Sequence, residues 1–183
     1  MYTNIEIEFK CKIDKETYDR LINQLDLLSR IFEQTNYYFD TPETSMLNRK
    51  LVLRIRKKSE DYFKITLKSQ QEQETFERHV LITKEKAAEL LEKGFSTKEY
   101  FEDFDYFVSH QATLKNYRAS IVHEGGKLFL DKCEYNGQID YEVEYEAIDY
   151  SKGLMIFNKF LETEKIPFVK SKKKSERAFG RWR

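Results

Sequence analysis

The chain is poor in the residues that break or staple a fold: six glycines, two prolines and two cysteines in 183 residues. Cys11 and Cys133 stand in no CxxC or Cys/His cluster, which argues against zinc and for two reduced thiols. No apolar run approaches the ~18 residues of a membrane span, and none follows Met1. A cytoplasmic protein with no membrane partner is therefore expected. Net charge of one sign is also missing: 32 Lys plus Arg balance 32 Asp plus Glu. That balance excludes a general nucleic-acid binder working by bulk electrostatics. Linkers, repeats and low-complexity segments are absent too, so one domain over 1–183 is the economical expectation.

Charge itself is plentiful. Charged residues make up 35% of the chain, against a usual share of about 25%, and their placement is patterned. Eight segments alternate with a period near two: 4–12, 35–39, 50–57, 62–69, 74–82, 114–123, 127–134 and 138–147. Gly125-Gly126 and Asn136-Gly137 mark two hairpins among the last three. Helices are predicted after Asp14, Thr83, Thr97 and Ser151. The first carries Tyr18, Leu21, Ile22, Leu25 and Leu28, and the second Ala87, Leu90 and Leu91 before Gly94. The third carries Tyr100, Phe101, Phe104, Phe107 and Val108, and the fourth Leu154, Phe157 and Leu161. A basic, helical tail is expected from Lys170 to Arg183.

Side chains alternate across a strand, so each segment has an apolar and a charged face. Glu6, Glu8 and Lys10 oppose Ile5, Ile7 and Phe9. Arg54 and Arg56 oppose Leu53 and Ile55, and Lys64 and Lys68 oppose Ile65 and Leu67. Glu77 and His79 oppose Phe76 and Val80, while Arg78 shares the apolar side. Arg118 opposes Tyr117 and Ala119, and Glu142, Glu144 and Glu146 form one acidic face. A solvated outer face is the default for such strands. Two features weigh against it. Like charges two residues apart lie about 7 Å from one another and repel without a counter-charge. The predicted helices, in turn, supply apolar surface to cover the other face. The reading is α+β: a closed eight-stranded antiparallel barrel, helices outside, charged side chains within.

These residues resemble the CYTH superfamily, the triphosphate tunnel metalloenzymes, in its compact single-domain bacterial form. Glu6-Ile7-Glu8-Phe9-Lys10 is similar to the family's ExExK strand, and Tyr38-Phe39-Asp40-Thr41-Pro42 to its YFDTP segment. Leu53-Arg54-Ile55-Arg56 resembles LRxR, Thr66-Leu67-Lys68 resembles TLK, and Glu142-Val143-Glu144 the closing ExE pair. Arg118, Asp131 and Lys174-Ser175-Glu176-Arg177 fall at the family's later positions. The resemblance implies a tunnel barrel, a small triphosphate substrate, and Mg²⁺ or Mn²⁺. It implies metal ligands Glu6, Glu8, Glu142 and Glu144, with Asp131 and Glu77 nearby. Lys10, Arg54, Arg56, Lys64, Lys68, Arg118, Lys174 and Arg177 are implied to bind phosphate, and Glu6, Glu8, Lys10, Glu142 and Glu144 to support catalysis. The expected activity is metal-dependent hydrolysis of inorganic triphosphate or a relative. The rivals are a class IV-type adenylyl cyclase and a non-catalytic polyphosphate or nucleotide binder. A homodimer is compatible with the family. No Ser-His-Asp order or Walker loop points to a covalent nucleophile.

Overall fold

The computed structural model describes residues 1–180. Its strands are β1 Tyr2–Ile13, β2 Phe32–Asp40, β3 Leu51–Ser59, β4 Tyr62–Gln70, β5 Thr75–Ile82, β6 Phe95–Ser96, β7 Phe107–His123, β8 Gly126–Tyr135 and β9 Gln138–Ala147. Its helices are α1 Lys15–Gln24, α2 Ser45–Asn48, α3 Lys84–Lys93, α4 Tyr150–Thr163 and α5 Lys174–Phe179. The strands form one antiparallel ladder in the order β2-β3-β4-β5-β1-β9-β8-β7-β6, and β2 also pairs with β7. Eight strands thus close on themselves, with β6 appended to β7: a closed antiparallel barrel with helices on the apolar side of its strands. No helix among the described residues is long and apolar enough to cross a membrane.

The chain divides into two compact units. The first comprises Met1–Ile5, Gln34–Leu114 and the chain from Lys174. Here β2, β3, β4 and β5 pair in sequence order, with α2 in the connection from β2 to β3 and short turns between the others. Its core joins Phe39, Leu53, Ile55, Ile65 and Leu67 from the strands to Ala87 and Leu90 of α3. Thr83 caps α3 by accepting from the Lys86 amide, and Gly94 ends it at φ 71°. A side chain at Gly94 would also collide with the Val108 carbonyl, 2.4 Å from an added Cβ. The Asp40 carboxylate is buried and accepts from the backbone amides of Thr41, Met46 and Leu47 at 2.7–3.0 Å. The acid of the YFDTP-like segment therefore pins the turn into α2 instead of joining a site.

The second unit comprises Glu6–Glu33 and Lys115–Lys173. Strand β9 lies between β1 and β8, and β8 pairs with β7. Leu21 and Ile22 of α1, and Phe157 and Leu161 of α4, pack on Cys11, Leu128, Leu130 and Val143. Gly153 lets α4 approach closely: an added Cβ would stand 2.4 Å from Ala147 and 2.8 Å from Phe9.

Four local expectations are corrected. No helix follows Thr97; a 3-10 turn over Thr97–Glu99 leads into irregular chain, and β7 begins at Phe107. The Thr97 hydroxyl explains this, donating to the Phe104 carbonyl and accepting from the Tyr106 amide, which folds the segment back before a second turn can form. Asp149, not Ser151, caps α4. Leu28 lies outside α1 in a 3-10 turn and is exposed. The basic tail is helical only over Lys174–Phe179, and the final residues expected to continue it, 181–183, lie outside those described.

Candidate active site

In the first unit the strand faces opposite the core carry a cationic array. The register places Tyr38, Arg54, Thr66 and His79 in one cross-strand row, and Asn36, Arg56 and Lys64 in the next. Lys68 stands opposite Glu77 and pairs with it at 2.5 Å. His79 is buried; its Nδ1 shares a 3.0 Å hydrogen bond with Thr66 Oγ1, and its Nε2 bonds Asn4 and lies 3.1 Å from Glu77. Burial alone would raise the Glu77 carboxyl, but the His79 bond and the charges of Lys68 and Arg54 hold it well below the usual carboxylate range. Burial, followed by the charges of Arg54 and Arg56, pushes Lys64 down to about 8. Arg56 donates through Nε to Asn36 Oδ1 at 2.8 Å. Lys174 and Arg177 are buried on α5. Arg78 points the other way, over the Phe101 and Phe104 rings, and pairs with Asp103.

In the second unit the corresponding faces carry acids. Asp131 is directly opposite both Arg118 and Glu142, and Glu144 opposite Lys10. Arg118 grips Asp131 with two nitrogens, Nε at 2.7 Å and a terminal nitrogen at 2.5 Å, and also bonds Glu144. Its guanidinium lies over the Phe129 ring, 4.1 Å from the centroid. Burial opposes its charge, yet Asp131 and Glu144 outweigh that and hold Arg118 protonated far above the ordinary range. Lys10 bridges Glu8 at 2.7 Å and Glu144 at 3.4 Å. Ser171 donates to Glu142 at 2.5 Å.

Asp131, Glu142 and Glu144 are buried, and one carboxylate oxygen from each lies within 4.8 Å of the others. An all-carboxylate oxygen set fits a hard divalent cation. Glu6 and Glu8 sit half-buried on β1 outside that group. Glu77 meets Lys68, His79 and Asn4. Sequence reading missed Asn4, Asn36 and Ser171 as partners of charged groups. Parity gave one cue: Asn36 lies two residues before Tyr38, on the same face of β2.

The model of the CYTH domain matches residues 4–179. The chain belongs to the CYTH family. Among relatives of this CYTH domain, a Bacillus subtilis protein provisionally named the triphosphatase YjbK is 32% identical over 95% of the chain and 94% of its own length. A crystal structure from Bacillus halodurans, provisionally named an adenylate cyclase, superposes with TM-score 0.87 at 32% identity, covering 97% of this chain and 98% of that one. A Hippeastrum CYTH-like structure, described as a provisional adenylyl cyclase with dominant triphosphatase activity, has TM-score 0.76 at 22% identity, covering 96% and 94% of the two chains. That last likeness shows shared fold.

Proposed function

We propose that this CYTH protein is a divalent-metal-dependent triphosphatase acting on inorganic triphosphate or a related small triphosphate. The observation that carries the reading is the buried three-carboxylate group of the second unit; the first unit, taken by itself, carries Arg54, Arg56, Lys64 and Lys68 on the strand faces opposite its core. A protein that only held an anion would have no use for Asp131, Glu142 and Glu144 brought within ligand distance of one another. The B. subtilis relative, provisionally named a triphosphatase, points the same way.

Asp131, Glu142 and Glu144 would hold Mg²⁺ or Mn²⁺, which when bound screens phosphate charge and polarises an attacking water. Arg118 and Lys10 fix these carboxylates in place by charge-assisted hydrogen bonds. Ser171 fixes Glu142, so the group stays assembled although its members repel. Arg54 and Arg56 bind phosphoryl oxygens through planar forks, and Lys64 and Lys68 add point charges. Their cationic array takes up charge that spreads over the transferring phosphoryl group. In-line attack forms a bond from water oxygen to the terminal phosphorus and breaks the anhydride. Inorganic triphosphate then yields diphosphate and phosphate, the water's proton passing to solvent.

The test is a panel of inorganic triphosphate, thiamine triphosphate and ATP, with Mg²⁺ and Mn²⁺ tried separately, read for phosphate and for cyclic AMP. Phosphate release that stops with chelator is expected. The B. halodurans relative's provisional name keeps adenylyl cyclisation as the second reading, and cyclic AMP as the main product from ATP would establish it. Triphosphate binding with no product of either kind would leave a binding module.

A further inference from the structure

Among the described residues, the buried donor atoms that face no protein acceptor include three on neighbouring strands of the first unit: Gln34 Nε2, Asn36 Nδ2 and Arg54 Nε. Gln34 is 1% exposed, Asn36 0% and Arg54 7%. They are not scattered. Gln34, Asn36 and Tyr38 alternate along one face of β2, and the register sets Asn36 beside Arg56 and Tyr38 beside Arg54 on β3. That face is opposite the apolar core, which takes Phe39, Leu53 and Ile55.

The orientation of Asn36 is fixed chemically. Arg56 Nε can only donate, so the amide atom it meets at 2.8 Å is the oxygen. The Asn36 nitrogen therefore points away from Arg56 with two hydrogens to give. Native folds rarely bury such donors unpaired, because each one loses its hydration without recompense. A row of donors with no acceptor of its own suits a ligand that brings acceptors only. Phosphate oxygens are such a ligand.

Resting on the triphosphatase reading above, we infer that Asn36 and Gln34 are substrate-binding residues, neutral donors to phosphate oxygens that extend the grip of Arg54 and Arg56. The division of labour is physical. Amides add hydrogen bonds and direction without adding charge to an array already strained by neighbouring cations. Asn36 has two tasks, since its oxygen also orients the Arg56 guanidinium.

Calorimetric titration of the full chain with inorganic triphosphate, under chelator so that nothing turns over, separates these tasks. Asn36→Ala is expected to weaken binding about tenfold, and Gln34→Leu about fivefold. The decisive arm is a double-mutant cycle with Arg56→Ala. If Asn36 itself contacts phosphate, Asn36→Ala still weakens binding at least threefold or so in the Arg56→Ala background. If Asn36 only orients Arg56, its effect vanishes there. That result, together with wild-type affinity in Gln34→Leu, overturns the inference. Thermal melts of the ligand-free variants identify any that do not fold; should Asn36→Ala be one, Asn36→Ser takes its place in the cycle. Loss of affinity in Arg54→Ala with none in the amide variants sinks this inference alone. Unchanged affinity in Arg54→Ala and Arg56→Ala sinks the triphosphatase reading with it.

Discussion

The two halves of this chain solve the same structural problem with opposite charge. Each is an antiparallel sheet with helices on its apolar face and ionisable groups on the other. In one the polar face is a row of arginines and lysines with Glu77 neutralised at its edge; in the other it is a carboxylate group braced by Arg118 and Lys10. The cations sit two residues apart along their strands, whereas the acids are knitted together by register. A face lined with like charges two residues apart suits a ligand of opposite charge. A face braced by opposite charge is prepared to keep its shape. The halves should therefore fail in different ways when broken.

The largest break should come from Glu144→Gln or Asp131→Asn. Turnover should drop on the order of a thousandfold, while chelator-treated protein keeps its affinity for triphosphate. Phosphate release and calorimetry on the same samples test this, and full turnover in both variants would remove the acidic half from the chemistry. Arg54→Ala and Arg56→Ala should do the converse. Each should weaken triphosphate binding roughly 30-fold, about 2 kcal/mol, and leave Mn²⁺ binding near wild type. Equal loss of both ligands in every variant would mean that the halves are not separable functions.

A third prediction concerns fold. Asp40→Ala strands two buried backbone donors and one part-buried one and should cost about 3 kcal/mol, read by denaturant unfolding.

The smallest effect is a titration. In the free protein Lys64 is mostly charged at pH 7 and loses its charge as pH rises through about 8, so its attraction for an incoming anion weakens over that range. A bound anion favours the ammonium and raises its pKa. At pH 8.5 the wild type should therefore take up more protons on binding triphosphate than Lys64→Arg does, by a fraction of a proton per site. Calorimetry in two buffers of different ionisation enthalpy reads the difference, and equal uptake in both proteins would show that Lys64 does not face the anion.

Much of this was readable beforehand because a period of two is local. Ile5-Glu6-Ile7-Glu8 and Leu53-Arg54-Ile55-Arg56 declare their faces without reference to any other segment, and β3, β4 and β9 fall where alternation puts them. The segment after Thr97 misled because Tyr100, Phe101 and Phe104 have helical spacing, while a single hydroxyl drawing Phe104 and Tyr106 together was enough to prevent the helix.

The order of residues alone determined that charge lies on one side of each strand and apolar surface on the other, since that follows from backbone geometry within a strand. Only the tertiary structure decided which charges meet. Asp131 joins Glu142 and Glu144, while Glu77 goes to Lys68 and His79, because cross-strand register is set by pairing between distant segments. A shift of one residue would send every one of those groups to the opposite face.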